Sequence, residues 1–159
     1  RTFNKDTIDI KRLKATLQAM AESLAYQLRN ANKLASIVTV KIRYSDYQTY
    51  TKQTKIPYTS ADHIFTPKTL ELFDSLYQRR VLIRLIGLRF SGIVGGNYQI
   101  NLFDDSEKML QLYQSLDHIK NRFGERSVLR ASTLDTRTIG GMQNPFNGEP
   151  PIVLAHRKQ

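Results

Sequence analysis

The chain has 159 residues and no cysteine, which excludes disulfides and thiolate chemistry and suits a reducing cytosol. No apolar run approaches the ~18 residues that a membrane span needs. Nor does the sequence carry a secretory signal pattern. Catalytic groupings are equally scarce. The one adjacent acidic pair, Asp104-Asp105, lies in a polar stretch, and metal-dependent phosphoryl transfer needs further ligands beside such a pair. His63, His118 and His156 are far apart and lack ligand spacing, so zinc is not expected. No serine stands in an elbow-type motif. Gly92 to Gly95 spell the GxxG of KH domains, but that loop joins two helices, and here a strand precedes it. No catalytic residue and no metal or cofactor site is therefore expected in this chain.

What the chain does have is positive charge, with 24 Lys and Arg against 14 Asp and Glu. Residues 1–97 hold 16 basic and 7 acidic side chains, whereas residues 98–159 hold 8 and 7. A basic domain followed by a near-neutral segment points to a polyanionic partner, most often nucleic acid. A surplus of lysine for solubility is the bland alternative.

The periodicities lay out the elements. From Ile10, the apolar residues Ile10, Leu13, Leu17, Met20, Leu24 and Leu28 advance in steps of three and four, the stripe of a buried helix. Asp6, Thr7 or Asp9 caps its start, and Asn30 to Lys33 end it. Then Val38, Val40, Ile42 and Tyr44 alternate with Thr39, Lys41, Arg43 and Ser45, a strand with one greasy and one cationic face. After a turn at Ser45-Asp46 comes a strand rich in Thr and Tyr, whose Thr49, Thr51, Gln53 and Lys55 share a polar face. Thr66-Pro67 reads as a helix start, Leu70, Phe73, Leu76 and Tyr77 as the buried stripe, and Arg79-Arg80 as charge at its negative pole. In a third strand Ile86, Leu88 and Phe90 face the core, while Leu85, Gly87, Arg89 and Ser91 face away. Alternation puts Arg84 on the core side, so it is expected to snorkel from the strand's start.

Beyond a glycine hinge at Gly95-Gly96, Met109, Tyr113, Leu116, Ile119 and Phe123 form a further helical pattern that Gly124 terminates. Val128 to Leu134 read as a short strand or extended arm, and the glycine- and proline-rich remainder as a flexible tail. The order is helix, strand, strand, helix, strand, with part of a first strand at Arg1–Phe3. That is an α+β, ferredoxin-like βαββαβ plan: a four-stranded antiparallel sheet with two helices on one face. The other face stays open and carries Lys41, Arg43, Thr51, Lys55 and Arg89, a set suited to phosphates. It has few aromatics, which favours backbone contact with a duplex over base stacking. The boundaries expected are 1–95 for the sheet domain, 96–105 for hinge and peptide, 106–134 for helix and arm, and 135–159 for the tail. The chain starts without Met, which suggests a piece of a longer protein.

Leu102-Phe103, just past the hinge and followed by two aspartates, is an apolar pair in a polar setting. It is either an edge strand, a helix staple, a loop folding back, or a docking peptide. As a docking peptide, Gln99 hydrogen-bonds in a polar subsite while Leu102 and Phe103 fill an apolar pocket. Their burial is worth roughly 1.5–3 kcal/mol each before ordering costs.

Taken together, "VKIRYSDYQTYTKQTKI", "RLIGLRFSGIV", "QINLFDD", "RTFNKD" and "RFGERSVLRASTL" resemble the C-terminal part of bacterial Y-family translesion polymerases of the DNA polymerase IV (DinB) type, over residues 1 to about 134. The resemblance implies the little finger, or polymerase-associated, domain. By the match, Thr51, Lys52, Lys55, Arg84 and Arg89 fall where that family contacts the phosphate backbone. "QINLF" corresponds to the family's Q-x-x-L-F peptide for the β sliding clamp, carried by Gln99, Leu102 and Phe103. Leu85 departs from the arginine that relatives often have there, and the tail after Leu134 has no match. The resemblance further implies duplex primer-template DNA, the β clamp and the remaining polymerase domains as partners, and a cytoplasmic setting without a membrane. Catalytic acids and magnesium are expected in a palm domain outside this chain. The rival readings are a stand-alone RRM-like nucleic-acid-binding protein and a small enzyme of the acylphosphatase kind. The latter needs a phosphate-cradling loop with a catalytic Arg and Asn, and the sequence shows none.

Overall fold

A computed structural model describes residues 2–96 and 106–136 of the chain. Strand β1 (Thr2–Thr7) leads to helix α1 (Ile10–Asn30), then to the hairpin β2 (Lys33–Tyr44) and β3 (Thr49–Thr59). Helix α2 (Asp62–Leu76) and strand β4 (Ile83–Ser91) follow, then a two-residue β5 (Val94–Gly95) and helix α3 (Ser106–Phe123), and last a 3-10 helix (Ala131–Thr136). The four main strands run antiparallel in the order β1-β4-β2-β3. β1 and β2 therefore run in the same direction with β4 between them, and β3 and β4 flank β2. The fold is two split βαβ units, each parted by a strand of the other. The α+β plan and the four-stranded antiparallel sheet agree with the expectation, which named no strand order. β1 extends to Thr7, well past the fragment expected at its start.

The core lies between the sheet and the pair α1 and α2. Leu13, Leu17, Val38, Val40, Ile42, Phe65, Phe73, Ile83 and Ile86 are fully buried there, with Tyr44 nearly so. At the start of α1, Asp9 is the cap, its carboxylate accepting the Arg12 N–H at 3.1 Å. The first stripe position, Ile10, is 43% exposed and lies outside the core.

Helix α2 starts one turn before Thr66-Pro67. Pro67 lies inside the helix, and the Thr66 hydroxyl caps nothing; it is buried with no partner among the described residues. The extra turn is held by tertiary contacts that local propensity does not contain. The His63 N–H donates to the Tyr113 hydroxyl at 3.2 Å, and Arg130 Nη2 donates to Asp62 Oδ2 at 3.1 Å. The buried face of α2 is Phe65, Thr69, Leu72 and Phe73, with Leu70, Leu76 and Tyr77 only half-buried. Arg79 leaves the helix pole altogether and pairs with Asp46 in the β2–β3 turn at 3.1 Å.

Of the expected hinge, Gly95 pairs with Lys33 at the start of β2, and the Gly96 N–H donates to the Asn32 carbonyl at 3.0 Å. The chain thus remains tied to the domain up to Gly96. The bend after β4 needs glycine: Gly92 has φ 63, and a Cβ there would collide with Ser36 Oγ.

Helix α3 returns to the helical layer and seats itself through polar side chains. Arg29 of α1 grips Asp117 in two bonds, Nε–Oδ2 at 2.6 Å and Nη2–Oδ1 at 2.8 Å, and donates Nη1 to the Ser60 carbonyl at 3.0 Å. Tyr26 donates its hydroxyl to Asn121 at 2.6 Å, and the Arg29 guanidinium lies over the Tyr113 ring at 4.6 Å. Burial, and then the neighbouring Asp62, raise the pKa of the Tyr113 hydroxyl, which keeps its proton. Ser23 donates to Glu125, and Arg130 bridges Glu22 at 3.0 Å and Asp62.

The seated face is Tyr113, Asp117 and Asn121, spaced i, i+4, i+8. The stripe expected from the sequence is therefore corrected. Tyr113 is buried, Met109 and Leu116 are half-buried, and Ile119 and Phe123 face solvent, Phe123 at 67%. Charged groups already in the contact, Arg29 and Asp62, demand polar partners, and the helix turns to supply them. Gly124 ends α3 as expected, with φ 98. The arm after Val128 is a 3-10 helix from Ala131, because the Thr133 and Thr136 hydroxyls bond back to carbonyls three residues earlier.

Replacing Arg29 by Ala leaves the partly buried Asp117 without its cation and should cost the seating of α3 up to about 3–5 kcal/mol. Native-state amide exchange should then quicken in α3 while β2 and β4 keep their protection.

Candidate nucleic-acid interface

β2 is the strand that builds the site. Its register with β3 and β4 stacks outward-facing residues in rows across three strands. Thr49, Arg43 and Leu85 form the first, and Thr51, Lys41 and Gly87 the second; Gln53, Thr39 and Arg89 form the third, and Lys55, Ile37 and Ser91 the fourth. Strands lie about 4.8 Å apart and alternate residues about 6.8 Å apart, so the rows form a cationic grid. Five of the expected residues, Lys41, Arg43, Thr51, Lys55 and Arg89, share this open face. α3 and the 3-10 helix make their hydrogen bonds to the helical layer instead. The rows contain no aromatic side chain, and Gly87 leaves the middle of the second row without any side chain at all.

Arg43 is held by Thr49, its Nε donating to Oγ1 at 2.9 Å. Lys41 is half-buried, its stem along the sheet, and burial followed by the Arg43 charge lowers its pKa below the ordinary lysine value. Leu85, where the resemblance led us to expect arginine, is 8% exposed and pairs with Thr2 and Arg43.

Two expected residues stand elsewhere. Lys52 pairs with Val40, which puts it on the core-side set of the edge strand, although it is exposed there. Arg84 reaches solvent by a different route from the one expected. β2 advances one residue, Arg43 to Tyr44, while β4 advances two, Leu85 to Ile83. This bulge puts both Ile83 and Ile86 into the core and releases Arg84 from the alternation. Its guanidinium lies over the Tyr47 ring at 4.8 Å. Tyr47 is the residue that the sequence reading missed; its signal was an aromatic inside a polar turn between two strands. Gln99, Leu102 and Phe103 lie outside the described residues.

Fold and site define a class: an α+β domain of interleaved split βαβ units with one face against helices and the other open and cationic. Within it, residues 1–102 match the model of the impB/mucB/samB family C-terminal domain, and the chain belongs to that family. Its relatives include proteins named DNA polymerase IV. The one from Clostridium acetobutylicum is 29% identical over 138 residues, covering 84% of this chain and 35% of the relative. The one from Dehalococcoides mccartyi is 31% identical over 140 residues, covering 87% and 36%. The chain thus spans about a third of the length of these curated relatives. A solved structure, "Complex of beta-clamp processivity factor and little finger domain of PolIV", is 22% identical, with a TM-score of 0.43, covering 65% of this chain and 95% of that one. The resemblance read in the sequence is borne out at the level of the family.

The Lys41 ammonium should titrate below the ordinary lysine value, and Arg43→Ala should move it part of the way back upward, burial remaining. Side-chain NMR titration of the lysine Cε resonances checks this.

Proposed function

We propose that the chain is the DNA-gripping and sliding-clamp-docking module of an error-prone, lesion-bypassing DNA polymerase, acting in the cytoplasm. The observation that carries the reading is the register of β2, which lines up Lys41, Arg43, Thr51, Lys55 and Arg89 on one open face. Duplex DNA carries one negative charge per ~1.7 Å of axis, and a cationic grid without stacking rings suits its backbone and is blind to its sequence. Burial and then the Arg43 charge hold the Lys41 ammonium below the ordinary lysine value, and a polyanion at this face would favour its charged form. Lys52 and Arg84 flank the grid and add phosphate contacts at its margins.

Clamp docking rests on the sequence Gln99-x-x-Leu102-Phe103 and on its flanks. On one side Gly96 is tied to Asn32 beside the start of β2, and on the other α3 (Ser106–Phe123) is seated on α1. The apolar pair is a weak ligand alone and gains from the effective concentration that DNA binding supplies. Synthesis itself belongs to the parent's remaining domains, with magnesium in their palm. Among the described residues, no three His, Asp or Glu side chains are grouped to hold a metal ion.

Arg89→Ala should weaken duplex binding about tenfold. The loss should be equal on unrelated sequences, and the slope of log affinity against log salt should fall by about one. Anisotropy titrations over a range of salt read both, and a marked sequence preference would refute backbone readout. Replacing Leu102 and Phe103 together by Ala should abolish binding to the β clamp and leave duplex binding intact; clamp binding at wild-type strength would remove the docking assignment.

A further inference from the structure

The turn between β2 and β3 presents one aromatic ring to solvent beside an arginine. Tyr47 is 65% exposed and has φ 64. That backbone region favours Gly or Asn and costs a bulky residue about 1–2 kcal/mol. The turn is nevertheless firmly held. The Tyr47 N–H donates to the Tyr44 carbonyl at 3.1 Å, the Tyr44 N–H to the Gln48 carbonyl at 3.0 Å, and the Gln48 N–H to Asp46 Oδ1 at 3.1 Å. Packing does not explain the ring, since most of it is in water.

The charges around it are sorted. Asp46, the acidic residue of the turn, is taken by Arg79 at 3.1 Å, and Arg79 also donates to Gln48 at 2.8 Å. Arg84 has no carboxylate partner among the described residues. It lies over the Tyr47 ring at 4.8 Å, and that ring is largely exposed. Thr49 links the turn to the cationic grid, donating to the Tyr47 carbonyl at 3.5 Å while accepting from Arg43 at 2.9 Å.

We infer that Tyr47 and Arg84 form a seat for one unpaired nucleotide at the rim of the cationic face, with the phosphate on the Arg84 guanidinium and the base stacked on the exposed Tyr47 ring. The inference rests on the duplex-gripping reading and adds to it a preference for a junction. In a duplex the base faces are covered by their neighbours and only edges are accessible. An exposed ring at the end of a phosphate-binding face therefore stacks on a base only where the strand has left the duplex. Stacking of this kind tolerates any base.

The test compares the whole chain on a blunt duplex, the same duplex with a short single-stranded overhang, and that duplex with abasic sites in the overhang, by anisotropy at fixed salt. The overhang should bind roughly fivefold to tenfold tighter than the blunt duplex, and the abasic overhang should lose that gain. Tyr47→Asn removes the ring at a φ that asparagine accepts, so it should keep the melting temperature and blunt-duplex affinity while losing the overhang preference. Tyr47→Phe should retain it. Blunt-duplex binding with no overhang preference, an abasic overhang that binds as well as the intact one, or full preference in Tyr47→Asn would each overturn the seat while leaving the grip standing. Failure to bind either duplex would remove the grip, and the seat with it.

Discussion

The structure depends on the pairing register of β2 between β3 and β4. Along this strand Val38, Val40, Ile42 and Tyr44 enter the core while Thr39, Lys41 and Arg43 face outward. Burying each large apolar side chain is worth about 1.5–3 kcal/mol. A slip of one residue would forfeit that gain and drive Lys41 and Arg43 into the apolar layer, where an unpaired charge is far more costly. The hydrophobic effect that holds the sheet to its helices thus also aligns the cations on the opposite side. Core and candidate interface are two faces of one alternation.

Concentrating like charges on one surface has a cost: after burial, the Arg43 charge is the second cause of the lowered Lys41 pKa. Arg43 is steadied by a hydroxyl and Arg79 by a carboxylate, but the grid itself contains no acidic residue. On the proposed reading this repulsion is relieved by DNA, so part of the electrostatic strain of the free domain turns into affinity. The bulge in β4 serves the same end locally. It keeps Ile83 and Ile86 in the core and turns Arg84 toward the turn.

The far side of the domain follows different physics. α3 is held by Arg29, Asp117, Tyr113, Asp62 and Arg130, a network of partly buried charges and hydroxyls. Such networks add little net stability, because desolvation offsets attraction, but losing one partner is costly. Burial already raises the pKa of Glu22 despite the Arg130 guanidinium beside it. The gain is position: with Gly96 tied to Asn32 and α3 seated on α1, both flanks of residues 97–105 are anchored on the helical side, away from the cationic face.

The α+β class, the element order and the membership of the open face were legible in the sequence alone, because each follows from a local period. Strands repeat every two residues and helices every 3.6, and Val38 to Tyr44 and Leu13 to Leu28 each keep one period cleanly. Tertiary structure decided what local patterning does not contain. The start of α2 at Asp62, the rotation of α3 onto Tyr113, Asp117 and Asn121, the bulge that releases Arg84, and the exposure of Tyr47 all arise from partners distant in the chain. A charge that must be paired once it is buried, or a residue that must be skipped so that two isoleucines meet one core, is a constraint between segments. No reading of one segment at a time contains it.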